Sequence, residues 1–229
     1  MINAFEHLPN ANPAETREVG ALKPELNQYP HLSPYDRTLV RLSNCGYINA
    51  SHMSIINGLI VAQGPRQNTV DDFWRMCSEH RIVNIVSLCT MSLTGSRPFC
   101  FDFTAGVDKR SVEIKTDAFT VSELTKDGLT YRYFHYTAWP DFGVPGDLGT
   151  LIELARHVNQ YPTVVHCLAG QGRSGTFVAI LALLQKADNN PLRIVTSLRN
   201  DRPNMVETVE QYEAIVKVTS LIDHQWLDQ

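Results

Sequence analysis

His166-Cys167-Leu168-Ala169-Gly170-Gln171-Gly172-Arg173-Ser174-Gly175 separates an apolar strand from an apolar helix. The run Thr163-Val164-Val165 before it predicts a buried strand, and residues 176–184 after it predict a buried helix. A short loop containing glycine between a strand and a helix points successive backbone N–H groups inward, and the positive end of the helix adds to them. The sequence therefore predicts a cup for a tetrahedral oxyanion, with a cysteine at one end and an arginine at the other.

Cys167 and Arg173 supply the two groups that chemistry at a phosphate ester needs. Inward N–H groups and a nearby cation favour the thiolate, which is the nucleophilic form of cysteine. The planar fork of a guanidinium matches two phosphate oxygens. A chance pair of Cys and Arg does not explain Gly170, Gly172 and the hydroxyl of Ser174. We interpret the loop as the site of a cysteine that attacks phosphorus.

Three segments resemble the protein tyrosine phosphatase family. Residues 166–175 resemble that family's phosphate-binding loop. Trp139-Pro140-Asp141-Phe142-Gly143-Val144-Pro145 resembles the mobile loop that carries the general acid, and Asn27-Gln28-Tyr29-Pro30-His31 resembles the loop that gauges phosphotyrosine depth. The resemblance runs from about residue 27 to residue 221, and it implies a phosphotyrosine-specific, cysteine-dependent catalytic domain.

The resemblance assigns a role to each residue that matches a family position. Cys167 would be the nucleophile that forms a phosphocysteine, and Arg173 would bind the equatorial phosphate oxygens. Asp141 would protonate the leaving phenolate and then act as base toward water. Ser174 would help the thiolate leave. The implied substrate and phosphate contacts are Leu168, Ala169, Gly170, Gln171, Gly172, Tyr29, Phe142 and Gln211. The implied supporting residues are His166, Trp139, Glu207, Arg199 and Arg202.

Ordinary structural roles compete with some of these assignments. Ser174 is also suited to cap the N-terminus of the following helix. Asp141 follows a proline, as turn aspartates often do. His166 fits an orienting role better than proton transfer, and Arg199 and Arg202 either brace the phosphate loop from behind or lie solvated at a helix end.

The chain departs from the family pattern at three places. Glu207 stands where the family has a glutamine that positions water, and an ionised carboxylate beside a phosphocysteine is unfavourable. Residues 91–97 lack the glutamate that orients the loop arginine, so we hypothesise that Glu207 pairs with Arg173 instead. His31 and Gln28 replace residues that hold the substrate peptide, which leaves peptide specificity open.

Composition and charge exclude several other classes of protein. The chain has a net charge of −4, with 43% hydrophobic and 19% charged residues. We expect a globular protein with no nucleic-acid partner, no membrane span and no signal peptide. We also expect no cofactor and no metal, because the eight histidines and five cysteines show no paired ligand spacing.

The cysteines predict where the protein works. Cys45, Cys77, Cys89, Cys100 and Cys167 are odd in number and widely spaced, which favours reduced thiols over a disulfide scaffold. All but Cys167 are expected to be small buried hydrophobes. The expected compartment is the cytoplasm, and delivery into another cell's cytosol would give the same pattern.

The order of apolar segments predicts an α/β (α+β) fold with a single twisted mixed sheet flanked by helices. Expected strands are 47–50, 59–62, 83–88, 112–116, 119–124 and 129–136, and expected helices are 148–159, 176–187, 192–200 and 208–222. We expect residues 1–26 to form a loose or extended approach segment and residues 27–229 to form the catalytic domain.

Other functions stay open at this level. A pseudophosphatase or phosphotyrosine-binding module with weak turnover would keep the same loop. A phosphoinositide or RNA-triphosphate phosphatase shares the cysteine chemistry, although the lipid enzymes tend to carry lysines in the loop, where Leu168, Ala169 and Gln171 are neutral. A sulfur transferase would not need residues 139–141.

Overall fold

The strand Thr163–His166 lies at the centre of an eight-stranded sheet and is buried along its whole length. It runs parallel to the strands on both sides, Leu59–Ala62 and Asn84–Ser87. Strands buried on both faces consist of continuous apolar runs, as here. This computed structural model describes residues 2–92, 100–140, 143–158 and 162–227.

The sheet is mixed, with parallel strands in the middle and antiparallel strands at both edges. Its order is β1-β2-β3-β10-β4-β9-β8-β7, and β5 pairs with β6 in a separate two-stranded ribbon. The strands are β1 (Leu39–Arg41), β2 (Tyr47–Met53), β3 (Leu59–Ala62), β4 (Asn84–Ser87), β5 (Met91–Ser92), β6 (Cys100–Phe101), β7 (Lys109–Lys115), β8 (Phe119–Lys126), β9 (Leu129–Tyr136) and β10 (Thr163–His166). The expected mixed sheet is confirmed.

Helices cover the sheet, and the helix that follows β10 is buried most deeply. They are α1 (Ile2–Glu6), α2 (Glu18–Ala21), α3 (Val70–Glu79), α4 (Leu148–His157), α5 (Gly172–Leu184), α6 (Pro191–Asp201) and α7 (Val209–Leu227). Helix α5 is apolar on all sides, so it is surrounded by α4, α6 and α7. The apolar stripe of α7 places Tyr212, Ile215 and Ile222 in the core that α5 shares.

The hairpin between β8 and β9 shows how the sequence sets the register. Asp127 and Gly128 both have positive φ, 52° and 76°, as a two-residue type I′ turn requires. Lys126 then faces Leu129, and Phe119 faces Tyr136 at the far end of the ladder, seven positions from the turn on each strand. The expected strands 119–124 and 129–136 are confirmed, and this register leads β9 into the segment that contains Trp139.

The N-terminal segment is more ordered than the sequence indicates. Helices α1 and α2 both lie within residues 2–26, and Phe5 is only 4% exposed. Its ring stacks on that of Tyr212, with centroids 4.5 Å apart. The expectation of a loose or extended segment is wrong for this part, because one aromatic side chain anchors it to α7. The domain boundary at residue 26 remains a prediction.

The cysteines also differ from expectation. Cys89 and Cys100 form a disulfide, although the sequence favoured reduced thiols throughout. Cys45 is exposed, not buried, whereas Cys77 is fully buried as expected. The odd number and wide spacing of cysteines did not reveal the pair, because β4 and β6 bring Cys89 and Cys100 together through the fold.

Candidate active site

The phosphate loop, residues 167–173, leaves the carboxyl end of the central parallel strands, where α/β proteins place their ligand sites. Two backbone hydrogen bonds hold its start in place. The N–H of Leu88 donates to the carbonyl of His166 (2.9 Å), and the N–H of Gly64 donates to that of Leu168 (2.9 Å). The loop is therefore fastened to the ends of both neighbouring strands, β3 and β4.

The predicted oxyanion cup depends on the backbone N–H groups of the loop. Among the described residues, the N–H groups of residues 168–172 donate to no hydrogen bond acceptor. Gly170 has a φ of +69°, and a Cβ there would clash with the main chain of Ala62 and Gln63. Unsatisfied N–H groups converging at the start of a helix are a site for an oxyanion.

Cys167 lies at the floor of this loop and is 4% exposed. His166, directly before it, is fully buried, and burial lowers the pKa of its imidazole to about 4. The imidazole is therefore neutral at ordinary pH, and its Nδ1 lies 3.4 Å from the carbonyl oxygen of Cys167. This contact fits an orienting role for His166 rather than a role in proton transfer.

Ser174 does not cap the helix. The residue at the N-cap of α5 is Gln171, and Ser174 lies three positions inside. Its hydroxyl is buried and has no hydrogen bond partner among the described residues. A buried hydroxyl without a partner is rare in proteins and points to an absent acceptor. The structure thus leaves Ser174 available to donate to a group in the loop.

Arg173 is held by main-chain carbonyls. Its guanidinium donates to the carbonyl oxygens of Leu88 (3.4 Å) and Pro140 (3.1 Å). The hypothesis that Glu207 pairs with Arg173 stays a prediction. The carbonyl of Leu88 orients the guanidinium, and sequence reasoning missed it because a backbone group carries no residue signature.

Arg202 lies directly behind the phosphate loop. Its buried guanidinium donates to the carbonyls of Gly170 (2.7 Å) and Ala169 (3.0 Å), and also to Asn49 Oδ1 (2.7 Å). Burial lowers the pKa of Arg202 to about 10, which still leaves it charged at neutral pH. The loop therefore has a fixed cation on its outer face, in addition to Arg173.

Arg199 does not reach the loop. Its guanidinium donates to the carbonyls of Met205 (3.0 Å), Val206 (2.7 Å) and Leu8 (2.8 Å). Residues 205 and 206 in turn lie against Gly175, where a Cβ would clash with them. The prediction that Arg199 braces the phosphate loop directly is wrong. Its hydrogen-bond partners are carbonyls of residues 205 and 206, behind the first turn of α5, and of the N-terminal segment.

Glu207 and Gln211 lie side by side against the loop. A Cβ on Gly172 would come within 2.9 Å of both Glu207 Oε2 and Gln211 Nε2. Gln211 Oε1 accepts a hydrogen bond from the backbone N–H of Glu207 (2.8 Å), which orients its amide nitrogen toward Gly172. Glu207 is exposed, and its carboxylate still lies within reach of the loop.

The segment around Tyr29 is tied to the phosphate loop through residues that the sequence did not single out as functional. The N–H of Gln28 donates to Gln63 Oε1 (2.7 Å), and its side chain donates to the carbonyl of Gly64 (3.2 Å). The N–H of Gly64 in turn donates a hydrogen bond to the carbonyl of Leu168. Tyr29 is half-buried, and its ring lies 6.4 Å from that of His31. This chain of bonds links the residue before Tyr29 to the phosphate loop.

The segment expected to carry the acid contacts the phosphate loop through Arg173. Trp139 is 4% exposed, and its indole N–H donates to the carbonyl of Gly143 (3.2 Å). Arg173 reaches the carbonyl of Pro140, so the start of this segment lies at the phosphate loop. Asp141 and Phe142 lie outside the described residues, and their assignments stay predictions.

Comparison with known proteins gives one consistent family. Residues 23–220 match the model of the protein-tyrosine phosphatase family. The chain is 36% identical over 221 residues to the receptor-type tyrosine-protein phosphatase eta of Gallus gallus, covering 81% of this chain and 16% of that protein. It is 31% identical over 219 residues to the tyrosine-protein phosphatase non-receptor type 20 of Homo sapiens, covering 82% and 52%. The chain thus spans well under two thirds of either relative.

A solved structure described as "Structural basis of PTPN18 fingerprint on distinct HER2 tyrosine phosphorylation sites" has the same fold. Its TM-score is 0.77 at 22% identity, over 91% of this chain and 87% of that one. Across the residues described here, no helix combines the length and the apolar character that a bilayer crossing demands.

Proposed function

Because the chain belongs to the protein-tyrosine phosphatase family, we propose that it hydrolyses phosphotyrosine in proteins through a phosphocysteine on Cys167. The observation that carries this proposal is that the N–H groups of residues 168–172, between a buried cysteine and Arg173, have no acceptor in the described part of the chain. Fixed donors around a developing charge stabilise a transition state without reorganising. The loop offers such donors to three phosphate oxygens.

In the first step, the Cys167 thiolate attacks phosphorus, and the bond between phosphorus and the tyrosine oxygen breaks. Arg173 and the loop N–H groups bind the equatorial oxygens. Asp141 gives its proton to the departing phenolate, which a positioned acid accelerates by about 10²–10⁴-fold. The contact between Arg173 and the Pro140 carbonyl supports this role, because it links the phosphate-binding cation to the residue before Asp141.

In the second step, water attacks the phosphocysteine, the bond between sulfur and phosphorus breaks, and inorganic phosphate leaves. Asp141 accepts the proton of the water. The amide nitrogen of Gln211 at Gly172 supports a role in holding that water. Ser174 donates its unpartnered hydroxyl to the departing Cys167 thiolate.

Selectivity for phosphotyrosine over phosphoserine follows from the depth of the substrate pocket. Tyr29 would stack on the substrate ring, and Phe142 would line the same pocket. The bonds that tie Gln28 to Gln63 and Gly64 support this role, because they link the residue before Tyr29 to the segment that bonds Leu168. A phosphoserine is too short to span that height, so its phosphorus would not reach Cys167.

The proposed workplace is a reducing cytosol, the cell's own or another cell's after delivery, because the reacting thiolate must stay reduced. Phosphotyrosine-containing proteins are the proposed partners. The compartment can be tested by fractionating cells that express the chain and by mass spectrometry of Cys167, which should be recovered as a free thiol.

A phosphotyrosine-binding module with weak turnover is the second candidate. The carboxylate of Glu207 favours it, since a negative group lies against Gly172 where water would attack. The retained Cys167 and Arg173 favour the enzyme.

Hydrolysis of p-nitrophenyl phosphate and of a phosphotyrosyl peptide separates the two candidates. We expect turnover by the parent chain, none by Cys167→Ser, and full turnover by Cys45→Ser, a matched control on an exposed thiol. Asp141→Ala should bind the peptide but barely turn it over. A parent chain that binds the peptide without releasing phosphate would support the binding module, and turnover by Cys167→Ser would refute the proposed mechanism.

A further inference from the structure

A buried cluster of three metal-ligating side chains lies behind the phosphate loop. The sulfurs of Cys89 and Cys100 and a ring nitrogen of His166 all lie within 4.8 Å of one another. The three residues are 1%, 0% and 0% exposed. They come from the ends of β4 and β10 and from β6, so only the folded chain brings them together.

His166 provides a second, independent indication of a ligand. Its Nδ1 lies 3.4 Å from the carbonyl of Cys167, and as donor in that contact it leaves the lone pair on Nε2. Nε2 is buried and has no hydrogen bond partner among the described residues. The nearby rings of Phe73 and Phe103, with centroids 5.7 and 5.5 Å away, offer no polar group. A buried acceptor without a donor is unfavourable unless something absent from the protein binds it.

The surroundings fit the second coordination sphere of a metal. Histidine ligands usually donate their other ring N–H to a carbonyl or carboxylate, which fixes the ring and its tautomer. The Cys167 carbonyl is in that position for His166, and Cys100 Sγ lies 3.5 Å from the same oxygen. The Cys167 carbonyl can therefore orient the imidazole of His166, one of the three candidate ligands.

We propose that Cys89, Cys100 and His166, when the two cysteines are reduced, bind one thiophilic divalent cation of the zinc type. Two sulfurs and one imidazole nitrogen form a donor set that zinc favours over magnesium or calcium. Two thiolates also neutralise a divalent cation, so the fully buried site holds no net charge. The site is separate from the reacting sulfur of Cys167.

The metal and the disulfide are alternative states of the same cysteines. A dithiol reductant gives two electrons and two protons to the disulfide, which becomes two thiols while the reductant is oxidised to its own disulfide. The cation then replaces both thiol protons, which leave to solvent. The structure shows the oxidised state.

Titration with Co²⁺ tests the site directly. The chain is reduced under nitrogen with a dithiol, the dithiol is removed, and Co²⁺ is added until binding is complete. We expect one Co²⁺ per chain, a sulfur-to-cobalt charge-transfer band, and loss of that band on adding Zn²⁺. Cys89→Ser and Cys100→Ser should each weaken binding at least tenfold.

Two variants serve as controls for the location. Cys77→Ser, which changes a buried thiol in another cluster, should keep the band, and so should Cys167→Ser. Loss of the band in Cys167→Ser with retention in Cys100→Ser would place the metal at the reacting cysteine and overturn the proposal. Absence of any band in the reduced parent chain would also overturn it.

A measurement on the parent chain covers variants that fail to fold. Diamide, a two-electron thiol oxidant, is added to the reduced chain with and without one equivalent of Zn²⁺, and disulfide formation is followed by mass spectrometry. We expect Zn²⁺ to slow formation of the Cys89–Cys100 bond at least tenfold. An unchanged rate would refute the site.

Discussion

Glycine at position 170 is the residue on which the shape of the phosphate loop depends most. Its positive φ is one that residues with a Cβ adopt only with strain, and its α-carbon faces the main chain of β3. Gly128 has a similar φ but open space around it. Comparing the two glycines therefore separates the cost of a positive φ from the cost of a clash between a Cβ and the main chain.

We expect Gly170→Ala to lower the free energy of unfolding by at least about 2 kcal/mol more than Gly128→Ala, which meets only the left-handed strain of about 1–2 kcal/mol. Turnover should be lost in the first variant and kept in the second. Urea denaturation and hydrolysis of p-nitrophenyl phosphate provide the measurements. Equal destabilisation by the two substitutions would show that the contact with Ala62 is not tight.

Glu207 provides a second test at the scale of one residue. Its carboxylate lies against Gly172 of the phosphate loop, so an ionised Glu207 opposes the phosphocysteine, and Glu207→Gln should raise turnover several-fold. Stability and phosphate affinity should stay unchanged, since the side chain is exposed. Steady-state kinetics measures turnover, and the inhibition constant of phosphate measures phosphate affinity. Slower turnover with weaker phosphate binding would mean that Glu207 supports the loop after all.

At the scale of elements, the strand, loop and helix around Cys167 are joined to a second segment, residues 139–143. Trp139 packs edge-to-face on Tyr136, with ring centroids 6.2 Å apart. Its indole N–H also donates a hydrogen bond to the carbonyl of Gly143. The hairpin of β8 and β9 leads directly into this segment, whose Pro140 carbonyl contacts Arg173. The position of Trp139 thus depends on the register between β8 and β9.

Trp139→Phe keeps the ring but removes the indole N–H, so the segment loses the bond to Gly143. We expect turnover of a phosphotyrosyl peptide to fall about tenfold, because its poor leaving group depends on a positioned acid. Turnover of p-nitrophenyl phosphate, whose leaving group is a more acidic phenol, should fall less. Comparison of the two substrates in steady-state assays is the measurement. An equal decrease for both would assign Trp139 to folding and not to the acid.

At the scale of the whole molecule, the N-terminal residues belong to the folded unit. Phe5 packs between Tyr212 of α7 and the guanidinium of Arg199, which lies 4.8 Å from the ring centroid. Arg199 also bonds the carbonyl of Leu8. The first helix is thereby linked to the segment that supports the start of α5.

Phe5→Ala should lower the free energy of unfolding by about 3 kcal/mol, as for other buried phenylalanines. Ile2→Ala, on the same helix but 42% exposed, should change it by less than about 0.5 kcal/mol. Chemical denaturation of both variants checks this. A negligible effect of Phe5→Ala would restore the view of residues 1–26 as a loose approach segment.

Much of the architecture was predictable from local pattern. The apolar run before Cys167 and the segments expected as strands 119–124 and 129–136 each specify an element through neighbouring residues, and these predictions are confirmed. Contacts between distant segments were not predictable in this way. Arg199 was expected at the phosphate loop, but its actual partners are backbone carbonyls, which have no sequence signature.

The phosphate loop is the part of the protein that the amino-acid sequence determined by itself, because its glycines, cysteine and arginine are contiguous and their geometry is local. The cluster of Cys89, Cys100 and His166 was decided only by the tertiary structure. No ligand spacing along the chain indicated it, and the expectation of no metal considered only such spacing. Side chains that are distant in sequence meet only when strand register and burial position them, and those depend on packing of the whole sheet.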